Sequence, residues 1–163
     1  MQDKLGIDTG KINPATNAKI YESGKGVTSR GVELDLNGEI TKNLSLSFGA
    51  THFNAKDANG EKYATNSSRS TANLFAKYEF RDFRVGAGAM YKSKIYTGKG
   101  ANEITQKGYT LANLMFGYKF GKNFDVQLNI DNLFNKKYYE GIGKNMMVYG
   151  DPRTFNLSFN YKF

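Results

Sequence analysis

The 163-residue chain carries 23 Lys and Arg against 15 Asp and Glu, a formal net charge of +8, with 12 Phe, 11 Tyr, no Trp and no Cys. The lack of cysteine excludes disulfides, thiolate zinc sites and cysteine nucleophiles, and no run approaches the ~20 consecutive apolar residues of a transmembrane helix. The basic balance is compatible with an anionic ligand, lipid headgroups or nucleic acid and does not choose among them.

Few prolines and many Gly, Asn, Ser, Thr and aromatic residues suit an all-β chain. The opening stretch from Met1 lacks the apolar core of a secretory signal, so the chain reads as cytosolic or as a piece of something longer. A weak strand is expected from Asn17 to Ser23, and the residues before it suit another strand cut short. From there apolar and polar residues alternate with period two, the mark of a strand with two unlike faces. Val32, Leu34 and Leu36 alternate with Glu33, Asp35 and Asn37, and Leu44, Leu46, Phe48 and Ala50 with Ser45, Ser47 and Gly49. Ala72, Leu74, Ala76, Tyr78 and Phe80 follow the same rule, then Phe83, Val85, Ala87, Ala89 and Tyr91. Ala112 to Phe120, Phe124 to Asp131 and Thr154 to Phe163 complete about eight strands.

The connections alternate in length. Thr41-Lys42-Asn43, Arg81-Asp82 and Gly121-Lys122-Asn123 are tight; Asn54 to Ser68, Thr97 to Lys107 and Asn135 to Gly150 are long. In an up-and-down sheet all tight turns therefore fall at one end. Tyr78-Glu79-Phe80, Tyr118-Lys119-Phe120 and Tyr161-Lys162-Phe163 each finish a strand at that end and form an aromatic band. Short turns, long opposite loops and an aromatic girdle are features of outer-membrane barrels. A soluble sandwich or barrel, with the apolar face turned inward, is the competing arrangement. The polar face favours the membrane reading, because it carries Gly, Asn, Ser, Thr and paired charges instead of dense Lys and Glu. Gly86, Gly88 and Gly117 on that face suit close approach of another element, such as a plug.

Three segments carry a resemblance when taken together: TSRGVELDLNGEI from Thr28, NIDNLFNKKYYE from Asn129 and YGDPRTFNLSFNYKF from Tyr149. In this order, with a terminal Phe, they resemble the C-terminal part of a TonB-dependent siderophore receptor. The resemblance implies an antiparallel transmembrane β-barrel segment of the bacterial outer membrane. It implies a ferric siderophore as transported ligand, with no resident cofactor, and a lean towards a hydroxamate-type chelator. It implies contact with the TonB complex only through upstream parts, and recognition of Phe163 by the barrel-assembly machinery. No TonB box or plug is read in these residues, so residues 1–163 are expected to be one C-terminal barrel portion. A small autonomous eight-stranded barrel with a structural or adhesive role stays open beside it, as does a soluble β-barrel binder.

Ligand contacts are expected from the long loops. Tyr96, Tyr138, Tyr139, Tyr149 and Arg153 offer flat hydroxylated surfaces and charge. The same tyrosines also suit an upper girdle, and Arg153 a lock between a turn and a lumen carboxylate. Lys92, Lys94, Lys99, Lys107, Lys136, Lys137 and Lys144 are expected to meet lipopolysaccharide phosphates or solvent. The lone His52 continues the outward phase of its strand and reads as an interface residue. No enzyme chemistry, metal cluster or nucleic-acid partner is expected.

Overall fold

The computed structural model describes residues 6–23, 27–57, 59–63, 66–98, 100–143 and 146–163. The chain divides into two compact units, Met1–Gly31 with Phe53–Thr65, and Val32–His52 with Asn66–Phe163. In the first, β1 (Gly6–Ile12) and β2 (Lys19–Ser23) form an antiparallel hairpin. Asn13 turns it by accepting Ala15 N–H on its side chain and Asn17 N–H on its carbonyl. Asn17 takes a left-handed φ of 54° there, a conformation Asn tolerates better than most residues.

The long strands are β3 (Thr28–Thr41), β4 (Leu44–Lys56), β5 (Ser70–Phe80), β6 (Phe83–Lys92), β9 (Tyr109–Phe120), β10 (Phe124–Asp131) and β13 (Thr154–Tyr161). They form one 7-stranded sheet in the order β13-β10-β9-β6-β5-β4-β3. Within two of the three long loops lie further hairpins, β7 (Ile95–Thr97) with β8 (Ile104–Gln106) and β11 (Tyr139–Ile142) with β12 (Met147–Tyr149). The expected strand at Asn17 to Ser23 forms, but it pairs with β1 instead of joining the sheet. An antiparallel sheet of seven strands leaves β3 and β13 pointing the same way, so β3 enters at the long-loop end while β13 finishes at the short-turn end.

Burial separates the faces. Along β6 exposed Phe83, Val85, Ala87, Ala89 and Tyr91 alternate with covered Arg84, Gly86, Gly88, Met90 and Lys92. Val32 is 73% exposed, Phe83 56% and Phe159 61%. In β6, in the middle of the sheet, the apolar face is thus the open one and the polar face the more sheltered one, while both faces of the edge strands β3 and β13 are exposed. This is the inverse of a water-soluble sandwich and the pattern of a wall whose outside meets hydrocarbon. His52 lies near the long-loop end, opposite Ser70, with Nδ1 2.7 Å from the serine hydroxyl.

The polar face packs side chains of its own over its glycines. Phe75 lies over Gly88, its cross-strand partner, and over neighbouring Gly86. A Cβ on Gly86 would come within 2.6 Å of the Phe75 ring. Arg84 reaches from β6 across Gly117 of β9 to Asp125 of β10, a bidentate pair of 2.7 and 2.8 Å. A Cβ on Gly117 would stand 2.8 Å from the guanidinium. Glycine is therefore what lets the ion pair bridge a whole intervening strand.

The tight turns share a clamp. Backbone N–H groups of Glu79, Lys119 and Lys162 donate to the carbonyls of Asn43, Asp82 and Asn123 at 2.8, 2.9 and 2.9 Å. Each donor is the middle residue of a Tyr-x-Phe triplet, and each acceptor belongs to the turn one hairpin earlier. The Asn43 and Asn123 side chains add a return bond to the carbonyls of Glu79 and Lys162. The Asp82 side chain is a carboxylate with no N–H to donate, so the middle clamp lacks that bond.

Gly86→Ala is expected to cost about 1–3 kcal/mol of stability by overpacking against Phe75. Urea unfolding of the protein in lipid vesicles measures it. Combining Gly86→Ala with Phe75→Ala should be clearly less than additive, since the double variant removes the clash.

Candidate functional site

At the long-loop end the chain builds a cluster from two touching hairpins. The β7–β8 hairpin meets β11, and Tyr139 N–H donates to Gln106 Oε1 at 3.1 Å. Tyr139 and Tyr149 are cross-strand partners on β11 and β12. Their rings lie 4.8 Å apart, and the Tyr139 hydroxyl donates to that of Tyr149 at 3.3 Å. This bond is the main cause that raises the Tyr139 phenol above its ordinary value. Tyr149 remains 74% exposed, so the pair offers an aromatic surface to whatever occupies that end.

Tyr138 does different work. Its ring lies 4.4 Å from that of Tyr109 and packs against Gly150, where a Cβ would collide with it. Gly150 N–H donates to the Tyr138 carbonyl at 3.0 Å. Burial, followed by the charges of Glu140 and Asp151, pushes the Tyr138 phenol up. Tyr138 is thus mainly a strut. Tyr96 sits on β7 opposite Thr105, with Lys94 Nζ 5.9 Å from its ring centre.

Arg153 stands at the loop base. Its backbone N–H donates to Asn135 Oδ1 at 3.1 Å, and its guanidinium lies 3.4 Å from the Leu133 carbonyl and 5.8 Å from the Phe155 ring. The lock expected to a lumen carboxylate is made instead to a backbone carbonyl and an aromatic face. Phe163 is fully exposed and packs edge-on to Tyr161 at 5.4 Å. Lys92 pairs with Glu140 at 3.9 Å. Lys99 and Lys144 lie outside the described residues.

Asn132 organises the cluster and carried no role in the sequence reading. It is 4% exposed and adopts φ 48°. Its Nδ2 donates to the carbonyls of Lys136 and Asp151, both at 2.9 Å, and its Oδ1 accepts Lys136 N–H at 2.8 Å. Its own N–H donates to Asn113 Oδ1 at 3.0 Å. The buried side-chain amide therefore ties the start of the β10–β13 loop to its end, and the backbone N–H of the same residue ties it to β9. Asn135, also left-handed at φ 49°, donates N–H to the Asn132 carbonyl and receives Arg153. The signal was in the Asn-Leu-Phe-Asn spacing, where two Asn three apart both take left-handed turns. Among the described residues no group of three or more His, Cys, Asp or Glu is placed to hold a metal ion.

An apolar exterior, a self-packed polar interior and tyrosine-bearing loops at one end define an outer-membrane β-barrel wall of the receptor type. Residues 3–133 match the family model described as TonB dependent receptor-like, beta-barrel, and the chain belongs to that family. The ferric-pyoverdine BN7/BN8 receptor of Pseudomonas putida is 30% identical over 148 residues, 88% of this chain and 18% of that protein. The catecholate siderophore receptor Fiu of Escherichia coli K12 is 34% identical over 147 residues, 82% of this chain and 19% of that protein. The crystal structure of the ferripyoverdine receptor of the outer membrane of Pseudomonas aeruginosa, bound to ferripyoverdine, superposes with a TM-score of 0.88 at 26% identity. It matches 98% of this chain over 23% of its own. The chain thus spans about a fifth of the length of these relatives.

Asn132→Gly keeps the left-handed backbone and deletes the amide. It is expected to cost roughly 1–3 kcal/mol of local stability, read as faster amide hydrogen exchange at Asn135 and Lys136 with the β5–β6 ladder unchanged. A phenol raised in the folded state adds stability that is whole below the unfolded value of about 10 and is lost as pH climbs through the folded value. Thermal stability should accordingly fall above about pH 10, and less steeply in Tyr138→Phe.

Proposed function

We propose that the chain forms the C-terminal part of the barrel of a receptor that imports a ferric siderophore in a TonB-dependent manner. The observation that carries this reading is the tyrosine cluster on two interlocked loop hairpins, Tyr96 on one and Tyr139 with Tyr149 on the other. The names of the relatives supply the ligand class, ferric pyoverdine and catecholate complexes. In this reading Tyr139 and Tyr149 provide the flat face, Lys94 and Arg153 provide charge, and Tyr138 and Asn132 hold the loops in place. The chain supplies wall and loops; it does no covalent chemistry and holds no resident cofactor.

Seven antiparallel strands support a barrel segment over an autonomous barrel. β3 and β13 run in the same direction, so joining them would need a parallel ladder, whereas up-and-down barrels of this class close antiparallel with even strand counts. Further strands, with the plug and the segment that engages the TonB complex, would come from outside residues 1–163. Phe163 would serve as the mark read by the barrel-assembly machinery, and loop lysines such as Lys107 and Lys136 would face lipopolysaccharide.

The test is fluorescence titration of the protein carrying this chain, purified in detergent, with ferric pyoverdine and ferric catecholate chelators. Tyr139→Ala and Tyr149→Ala should each weaken binding of the cognate complex by about 1–2 kcal/mol and slow growth under iron limitation. Unchanged affinity in both variants would overturn the placement of the ligand. Failure of every ferric chelator to bind would overturn the function.

A further inference from the structure

The short-turn end holds an arginine in an unusual backbone state. Among the described residues four non-glycine positions have positive φ: Asn17, Arg81, Asn132 and Asn135. Three are Asn, whose side chain eases the left-handed conformation; Arg81, at φ 54°, is not. The next tight turn uses Gly121, at φ 65°, and so avoids the Cβ penalty. The β5–β6 turn therefore keeps a strained arginine where a glycine would relieve it.

The side chain of Arg81 points to a reason. Its guanidinium lies 5.2 Å from the centre of the Phe80 ring, on the apolar face of the sheet. Among the described residues no acidic side chain forms an ion pair with it, although Asp82 is its neighbour in sequence. That same Phe80 lines, with Tyr78, Phe83 and Val85, an open apolar groove of 480 Å³. Tyr78 and Val85 are cross-strand partners, as are Phe80 and Phe83, so the groove runs along the β5–β6 ladder away from the turn. A positive charge held over one wall residue, Phe80, of a groove that faces hydrocarbon has the shape of a lipid site. The groove takes an acyl chain, and a planar guanidinium at headgroup depth takes a phosphate by two parallel N–H donors.

We infer that Arg81 and this groove form a binding site for an anionic glycerophospholipid of the inner leaflet, with the phosphate on Arg81 and one acyl chain along Phe80 and Phe83. The short turns of outer-membrane barrels lie on the periplasmic side, which places the site in the glycerophospholipid leaflet. The arginine side chain lies over the lipid-facing Phe80 ring. Lys42 and Lys122, central in the other two tight turns, add positive charge at the same end.

The experiment is native mass spectrometry of the protein carrying this chain, released from detergent and titrated with phosphatidylglycerol or phosphatidylcholine of matched acyl chains. The wild type should retain phosphatidylglycerol adducts in preference to phosphatidylcholine. Arg81→Gly relieves the strained backbone and removes the charge. It should lower phosphatidylglycerol binding about fivefold with no loss of thermal stability. Arg81→Gln keeps the strain and removes only the charge, and should lose the same preference even if the glycine variant folds poorly. Equal retention of the two lipids by the wild type overturns the site. So does a phosphatidylglycerol preference that is undiminished in Arg81→Gln. Neither result bears on ferric chelator binding at the opposite end.

Discussion

Everything in this chain follows from the absence of hydrogen-bond partners in hydrocarbon. A backbone crossing that medium must pair every N–H and C=O within the protein. Strands of 8 to 14 residues, laddered to their neighbours through continuous registers, meet that demand for the interior of the sheet. The side chains are then divided by the pleat. Phe, Leu, Val and Tyr go outward, where burial in lipid costs nothing, and the polar residues are left to solve their own pairing on the inner face.

That inner face is built by subtraction. Gly117 gives up its side chain so that Arg84 can cross a strand to Asp125, and Gly86 with Gly88 make room for Phe75. Small residues here act as corridors for large ones. The loop end uses a different device, a buried amide. Asn132 has a donor pair and an acceptor, and each finds a backbone partner across the base of the longest connection. The surface tyrosines can be presented in a fixed arrangement because this less visible residue holds the base of the loop that carries them.

The sequence was most legible where chemistry repeats. Period-two alternation located all seven sheet strands, the alternation of turn and loop lengths separated the two ends, and the Tyr-x-Phe triplets marked the aromatic band. It was least legible where a single residue reaches across the sheet. No pattern along the chain tells that Arg84 pairs with a carboxylate 41 residues away, or that two glycines lie beneath Phe75. Asn17 to Ser23 was seen as a strand but not as a hairpin of its own, because local propensity carries no information about its partner. Tyr138 and Tyr149 looked alike in sequence; only the third dimension shows that one is a strut and the other an open surface.

The clamps at the short turns have a consequence for how such a protein can change. Each turn carbonyl is held by the strand of the following hairpin, through the residue between a Tyr and a Phe. Adding or removing one residue there would shear two hairpins at once and swap the lipid-facing and interior rows of a whole strand. The opposite end tolerates length, since its excursions fold back as hairpins on themselves. Novelty in recognition can therefore be tried out at one rim of the wall while the other rim keeps the gauge to which the wall is built.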